Sequence, residues 1–293
     1  MAQILGFDFG GTKVDIGIAE ANGLLTQTHR LRVAGYRDVT ALIEASLRVG
    51  QELARDRAVQ VIGVSTMGIT HPDRVDLAPN IPGWQDIKLP GQFHLAFPNI
   101  PVVIENDVRA ACFAEFTWGS LQGSRCAGYL NLGTGMAMSF IINGQIYAGA
   151  HGAAGEIAYL WRRQEEGFRH GKAPFEESYG GGGLDRTVQR EFSPYQNLGT
   201  LFDHLEDERV NAYLLETFQE IARRVGHVLL AYDVERVAVG GGIAQRFEWF
   251  APIFSSEWAD HLPFPPELVP ARYSDQAGLY GAIAVASHQG GLP

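Results

Sequence analysis

A two-lobed α/β protein is predicted by three observations. An apolar strand, a Gly/Thr-rich turn, an alternating strand and an Asn-Gly hairpin pair stand at the N-terminus, and the same plan returns at residues 127–147. Buried-type apolar runs at 60–66 and 236–239 each follow a helical pattern, which implies mixed sheets with crossover connections. Finally, 293 residues with 46% hydrophobic content are long for one core and sufficient for two.

The first strand delivers Asp8, then Gly10, Gly11, Thr12 and Lys13, and the chain leaves as the alternating run Val14, Ile16, Ile18. Such a turn is suited to phosphate: glycines can take positive φ and expose backbone N–H groups, while Thr12 and Lys13 add a donor and a charge. Asp8 is placed to act through Mg²⁺. The spacing Gly6, Gly11, Thr12, Lys13 approaches a Walker A loop with its last pair reversed, but that loop must open a helix, and the period of two that follows predicts a strand. Asn22-Gly23 turns the chain into a third strand, giving an antiparallel meander.

Asp38 reads as the N-cap of a helix through Val39, Leu42, Ile43, Leu47 and Leu53. Residues 67–98 read as an irregular loop rich in Pro, Gly and Asn. A short strand at 101–105 ends at Asn106 and Asp107, before a helix at 108–116; these two residues either face a ligand crevice or cap that helix. Residues 127–132, Gly133, Thr134, Gly135, then 136–142 and Asn143-Gly144 repeat the opening plan. Gly149 to Tyr159 is a run of small residues carrying Glu156, and 161–183 reads as a polar surface excursion ending in four glycines. Helices are predicted at 206–232, from near Ile243 after the strand ending in Gly240, Gly241 and Gly242, and at 276–287.

A net charge of −10 without basic runs disfavours a nucleic-acid partner, and no run reaches membrane-spanning length, so a cytoplasmic protein is expected. Cys112 and Cys126 lack metal-ligand spacing and read as free buried thiols.

Taken in order, Asp8 to Lys13, the stretch Pro79, Asn80, Ile81, Pro82, Gly83, Trp84, then Glu105-Asn106-Asp107, Leu132 to Gly135, Gly152 to Glu156 and Gly240 to Gly242 resemble the ROK family of bacterial sugar kinases over nearly the whole chain. The resemblance implies the actin/hexokinase-like (ribonuclease H-like) ATPase fold, with 1–106 plus 275–293 as a small lobe and 107–274 as a large one. It implies an ATP-dependent kinase transferring the γ-phosphate to the 6-hydroxyl of a hexose, glucose first, with fructose, mannose or an N-acylated amino sugar as alternatives. Asp107 would be the general base. Asn80, Asn106, Glu156, Tyr159 and Glu176 would meet the sugar; Gly10, Gly11, Thr12, Lys13, Gly133, Thr134 and Gly135 would surround the phosphates, and Gly240 and Gly241 the adenosine. A homodimer is also implied.

Two features depart from the family pattern. Tyr159 stands where many members carry a zinc-binding His, and no cysteine follows Cys126, so no structural zinc is expected. The family's repressors carry an N-terminal DNA-binding domain, whereas the first strand here starts near residue 3, so a non-catalytic sugar sensor is the secondary expectation.

Overall fold

The computed structural model describes residues 2–71, 75–76, 83–84, 87–161 and 173–291. The chain divides into two compact units, Met1–Gln122 with Ala148–Ala153 and Asp275–Pro293, and Gly123–Tyr147 with Ala154–Ser274. Among the described residues no helix is long and apolar enough to cross a membrane.

Unit 1 opens with the predicted meander, β1 (Gln3–Phe9), β2 (Lys13–Glu20) and β3 (Leu25–Arg32). Helix α1 (Val39–Ala54) starts at Asp38, whose carboxylate accepts from the Ala41 N–H at 2.8 Å. β4 (Val59–Thr66) follows, then a small hairpin of β5 (Ile69–Thr70) and β6 (Val75–Asp76), α2 (Leu89–Ala96), β7 (Val102–Asn106) and α3 (Asp107–Trp118). The stretch expected to be irregular therefore contains a hairpin and a helix. Pro90 stands in the first turn of α2, where the missing N–H costs nothing, so a residue that reads as a breaker is compatible with a helix start. Strand order is β3-β2-β1-β4-β7, with β1, β4 and β7 mutually parallel. One face is sealed by Phe7, Phe9, Trp84 and Phe93 beneath α1 and α2; each such ring contributes roughly 1.5–3 kcal/mol by burial.

Unit 2 repeats the plan with β8 (Cys126–Leu132), β9 (Met136–Ile142) and β10 (Gln145–Ile146). Then come α4 (Pro174–Tyr179), α5 (Gly181–Glu191), α6 (Leu198–Phe202), α7 (Glu208–Tyr232), β11 (Arg236–Gly240), α8 (Phe247–His261) and β12 (Glu267–Pro270). Its order, β10-β9-β8-β11-β12, matches that of unit 1 position for position. The helix expected from Ile243 is a 3-10 turn, Gly242–Arg246, leading into α8. Helix α7 is capped by Asp207 and stops at Asp233, a left-handed residue at φ 47°. Its stripe packs on Phe250, Phe254 and Trp258, and the buried indole donates to the Ala222 carbonyl at 2.9 Å.

The excursion expected at 161–183 is corrected where it is described: residues 174–179 and 181–191 are helical, Gly180 is the N-cap between them, and Gly181 to Gly183 form the first turn of α5. Gly181 and Gly182 donate to the carbonyls of Gly133 and Thr134 at 2.8 and 3.1 Å, so tertiary partners satisfy N–H groups that a helix start leaves open. Cys112 is buried and Cys126 only half-buried; neither is in a disulfide.

Helix α9 (Ala277–Gln289) completes unit 1. It lies on the second face of the β1 sheet, over Gly17, Gly6 and Gly63, which are register partners across β2, β1 and β4. A Cβ on Gly6 would stand 2.8 Å from Ile283, and one on Gly63 would overlap the Ala282 carbonyl, so the glycine row permits the close approach. Its outer side packs on α3, where a Cβ on Gly281 would strike Ala110. Because α3 is held there, the division expected at 106/107 falls after Gln122 instead, and residues 148–153 also belong to unit 1.

Candidate functional site

One step beyond the glycine row, toward the C-terminal ends of β1 and β4, every strand of the unit 1 sheet presents a polar residue in register. Arg30, Asp15, Asp8, Ser65 and Glu105 form a row across β3, β2, β1, β4 and β7. Asp8 is at its centre, accepting from the Ser65 hydroxyl at 2.9 Å. Burial around its carboxylate, reinforced by Asp107 and Asp15, pushes its pKa up to about 7 against the opposing effects of Ser65 and Lys13. The first turn of α9 closes over it, since a Cβ on Gly278 would overlap the Asp8 carboxylate.

β7 delivers Asn106 and Asp107 to the start of α3. Asn106 is the N-cap: its Oδ1 accepts from Val108 N and Arg109 N, both at 3.0 Å, and its amide donates to the Gly68 carbonyl and Asp107 Oδ1, also at 3.0 Å. The capping reading thus holds, and the cap's own amide fixes Asp107 Oδ1 beside it. Burial pushes the Asp107 carboxyl up to about 6, while the Val108 N–H, Arg109 and Asn106 hold it back. Arg109 is buried and fully engaged, donating to Glu105 at 2.7 Å, the Gly152 carbonyl at 2.6 Å and Thr70 at 3.0 Å. A cavity of about 910 Å³ beside β7 includes Glu105 and Arg109 in its lining, but neither Asp8 nor Asp107.

The first glycine turn is closed by Gly10 N–H donating to the Lys13 carbonyl at 3.0 Å, and Gly11 and Thr12 are exposed. Gly10 does not use the left-handed region; what it supplies is room beside the Lys13 carbonyl. The Lys13 ammonium is already taken up, by the Asp275 carbonyl at 2.7 Å, its carboxylate at 2.9 Å and Asp15 at 3.2 Å. Asn80 lies outside the described residues, as does the 162–172 region on which the zinc expectation bears.

In unit 2, the turn at Gly133, Thr134 and Gly135 is closed by Gly133 N–H to the Gly135 carbonyl at 3.1 Å, with Thr134 exposed. Glu176, expected to meet sugar, accepts from the Met136 N–H at 2.9 Å and stands where a Cβ on Gly135 would come within 2.7 Å. It therefore braces the turn. Gly155, at φ 89°, brings its backbone against Met138, donor of a 2.8 Å hydrogen bond to the Gly155 carbonyl, and so sets Glu156 at the start of a 3-10 turn ending in Tyr159. The Tyr159 hydroxyl is held above its ordinary pKa by burial, then by Glu156 and Glu176, so these three predicted residues share one neighbourhood. Gly241, at φ 89°, packs its backbone on Leu132 and Gly133, and Gly240 abuts the Tyr129 hydroxyl.

Sequence reasoning missed Ser65, Asp15, Arg30, Asp275 and Gly278. Only Gly278 left a signal, in the small-residue composition of the terminal helix.

The model of the ROK family matches residues 4–289. The glucokinase of Aeropyrum pernix is 27% identical over 98% of this chain and 97% of its own length. The N-acetylmannosamine kinase of Vibrio cholerae is 26% identical over 96% and 98%. A ROK hexokinase from Thermus thermophilus has a similar structure, with a TM-score of 0.86, 25% identity and 98% of each chain covered.

Proposed function

The chain belongs to the ROK family, and from that premise we propose that it is an ATP-dependent sugar kinase that phosphorylates the 6-hydroxyl of a hexose, with Asp107 as general base. The observation that carries this reading is the Asp107 carboxylate, aimed by Asn106 and raised by burial to about 6, near the pH at which a base must accept a proton. Phosphoryl transfer asks for positioning and charge stabilisation rather than covalent chemistry. Asp107 orients the attacking hydroxyl and takes its proton; Asn106 and, in unit 2, Glu156 and Tyr159 offer donors and acceptors suited to sugar hydroxyls.

The phosphates of ATP are assigned to the backbone N–H groups and hydroxyls of the turns at Gly10–Thr12 and at 133–135, and the adenosine to Gly240 and Gly241. Asp8 fits Mg²⁺: it is a hard oxygen donor facing a second carboxylate, and this ion is commonly held by one or two carboxylates plus substrate phosphates. Bound there, Mg²⁺ would offset the charge of the phosphates.

Glucose is the first candidate, on the resemblance to glucokinases. An N-acylated amino sugar is the second reading, favoured by a nearly equal identity to the N-acetylmannosamine kinase. ADP release measured over glucose, fructose, mannose and N-acetylmannosamine separates them. Asp107→Asn is expected to lower kcat about 10²- to 10⁴-fold. Activity that no sugar stimulates, or full activity in that variant, would overturn the assignment.

A further inference from the structure

Two cations of unit 1, Lys13 and Arg30, are given no step in the phosphoryl transfer proposed above. Lys13 holds the Asp275 main chain through its carbonyl at 2.7 Å as well as the side chain at 2.9 Å. Arg30 forks onto Asp15 at 2.5 and 2.9 Å and reaches Asp275 Oδ2 at 3.2 Å. The Asp15 side chain is 5% exposed and fixed on the sheet, whereas that of Asp275 is 74% exposed. An exposed carboxylate is ordinarily loosely held, because an isolated surface ion pair contributes little. Asp275 instead receives hydrogen bonds from two cations, both ion-paired to the same buried Asp15.

Their hold falls at a particular place in the chain. Asp275 is the first residue of the segment that returns to unit 1, and it lies in the 3-10 turn Ser274–Gln276 that leads into α9. The N-cap of α9, Gln276, provides no side-chain hydrogen bond, so the helix start lacks a cap of its own. Two residues beyond it, the Gly278 backbone rests against the Asp8 carboxylate.

We infer that Lys13 and Arg30 are positioning residues: they fasten the lead-in of α9 to β2 and β3, so that the first turn of the helix stays seated on Asp8. Lys13 thereby acts through Asp275 and does not meet phosphate. The kinetic consequence rests on the proposed kinase activity; the structural consequence does not.

The test uses the full chain with Lys13→Met, Lys13→Arg, Asp275→Ala and the Lys13→Met/Asp275→Ala double variant. Hydrogen exchange of the amides at 277–281 needs no activity. Lys13→Met should speed it about tenfold, and Asp275→Ala less, since the carbonyl partner remains. The double variant should exceed Lys13→Met alone, since Asp275→Ala also releases the Arg30 contact at 3.2 Å, and Lys13→Arg should restore most of the protection. Kinetically, with the best sugar of the panel, kcat should fall about tenfold in Lys13→Met while KM for ATP stays within about twofold.

The inference is overturned if Lys13→Met raises KM for ATP about tenfold or more with exchange unchanged, which makes Lys13 a phosphate ligand. It is overturned equally if exchange at 277–281 is the same in all variants. Should the wild type phosphorylate no sugar, the kinase reading fails, and the exchange measurements still decide the fastening.

Discussion

The two sheets share one strand order and differ in the chemistry of the row just before their glycine turns. In unit 1 that row reads Arg30, Asp15, Asp8, Ser65 and Glu105; in unit 2 the corresponding positions on β9, β8 and β11 are Ala137, Asn131 and Gly240. Asp8 and Asn131 each stand two residues before the first glycine of their turn. The duplicated fold has thus been given charge on one side and small, neutral groups on the other. The turns are braced accordingly. That of unit 1 is tied by ion pairs of Lys13, and that of unit 2 by backbone hydrogen bonds from α5 and by Glu176 accepting from Met136. Charge must be paired or hydrogen-bonded where it is buried, whereas a row of small residues allows close backbone approach.

The largest expected effect comes from breaking the backbone bracing of unit 2. Gly241→Ala asks an L-residue to hold φ 89° while its Cβ overlaps the Leu132 carbonyl. A loss of about 4 kcal/mol is expected, read from the denaturant midpoint.

Asp8→Asn makes the charged row resemble its counterpart at Asn131. A carboxylate raised from 3.8 to about 7 on folding binds more protons folded than unfolded, so its contribution to stability is complete below about pH 4 and is lost as the pH rises to about 7. The asparagine variant escapes this loss, and its stability relative to wild type should improve by about 3 kcal/mol between pH 4 and pH 8, measured by unfolding at both. A wild type whose stability rises over that range from this group would contradict the raised pKa. If Asp8 holds Mg²⁺ as proposed, activity falls in the same variant.

Glu176→Ala leaves the Met136 N–H without its partner and should cost about 2 kcal/mol, while Glu176→Gln, which retains an acceptor, should recover most of it. Equal losses in the two variants would indicate that the charge, rather than the hydrogen bond, braces the turn. The smallest effect belongs to Gly10→Ala: the added Cβ would stand 3.2 Å from the Lys13 carbonyl, at an ordinary φ, and about 0.5 kcal/mol is expected by thermal unfolding. A large loss there would mean that both turns are braced by their backbones, and the contrast between them would disappear.

Much of the duplication was legible because it is written in local signals. Asn22-Gly23 and Asn143-Gly144 mark hairpins, Asp38 caps α1, and the apolar stripe of α7 has helical period. The reading failed where glycine stood for two different things. In a chain read alone, Gly180 to Gly183 is a loop; in the fold, Gly181 must be glycine because its Cβ would lie 2.6 Å from the Gly133 carbonyl, and the run opens a helix. The bracing contact of Glu176 was hidden for a related reason, since its partner lies forty residues away and leaves no local trace.

The sequence by itself determined the two opening meanders, the strands at 60–66, 101–105 and 236–239, the paired turns, the family, and Asp107 as a residue at a strand-to-helix junction, because periodicity, turn chemistry and capping act over a few residues. Only the tertiary structure decided that Arg30, Asp15, Asp8, Ser65 and Glu105 form one row, that α9 closes over its centre, and that Lys13 answers to Asp275. Register between strands and the seating of a helix 262 residues away depend on long-range packing, which no local pattern encodes.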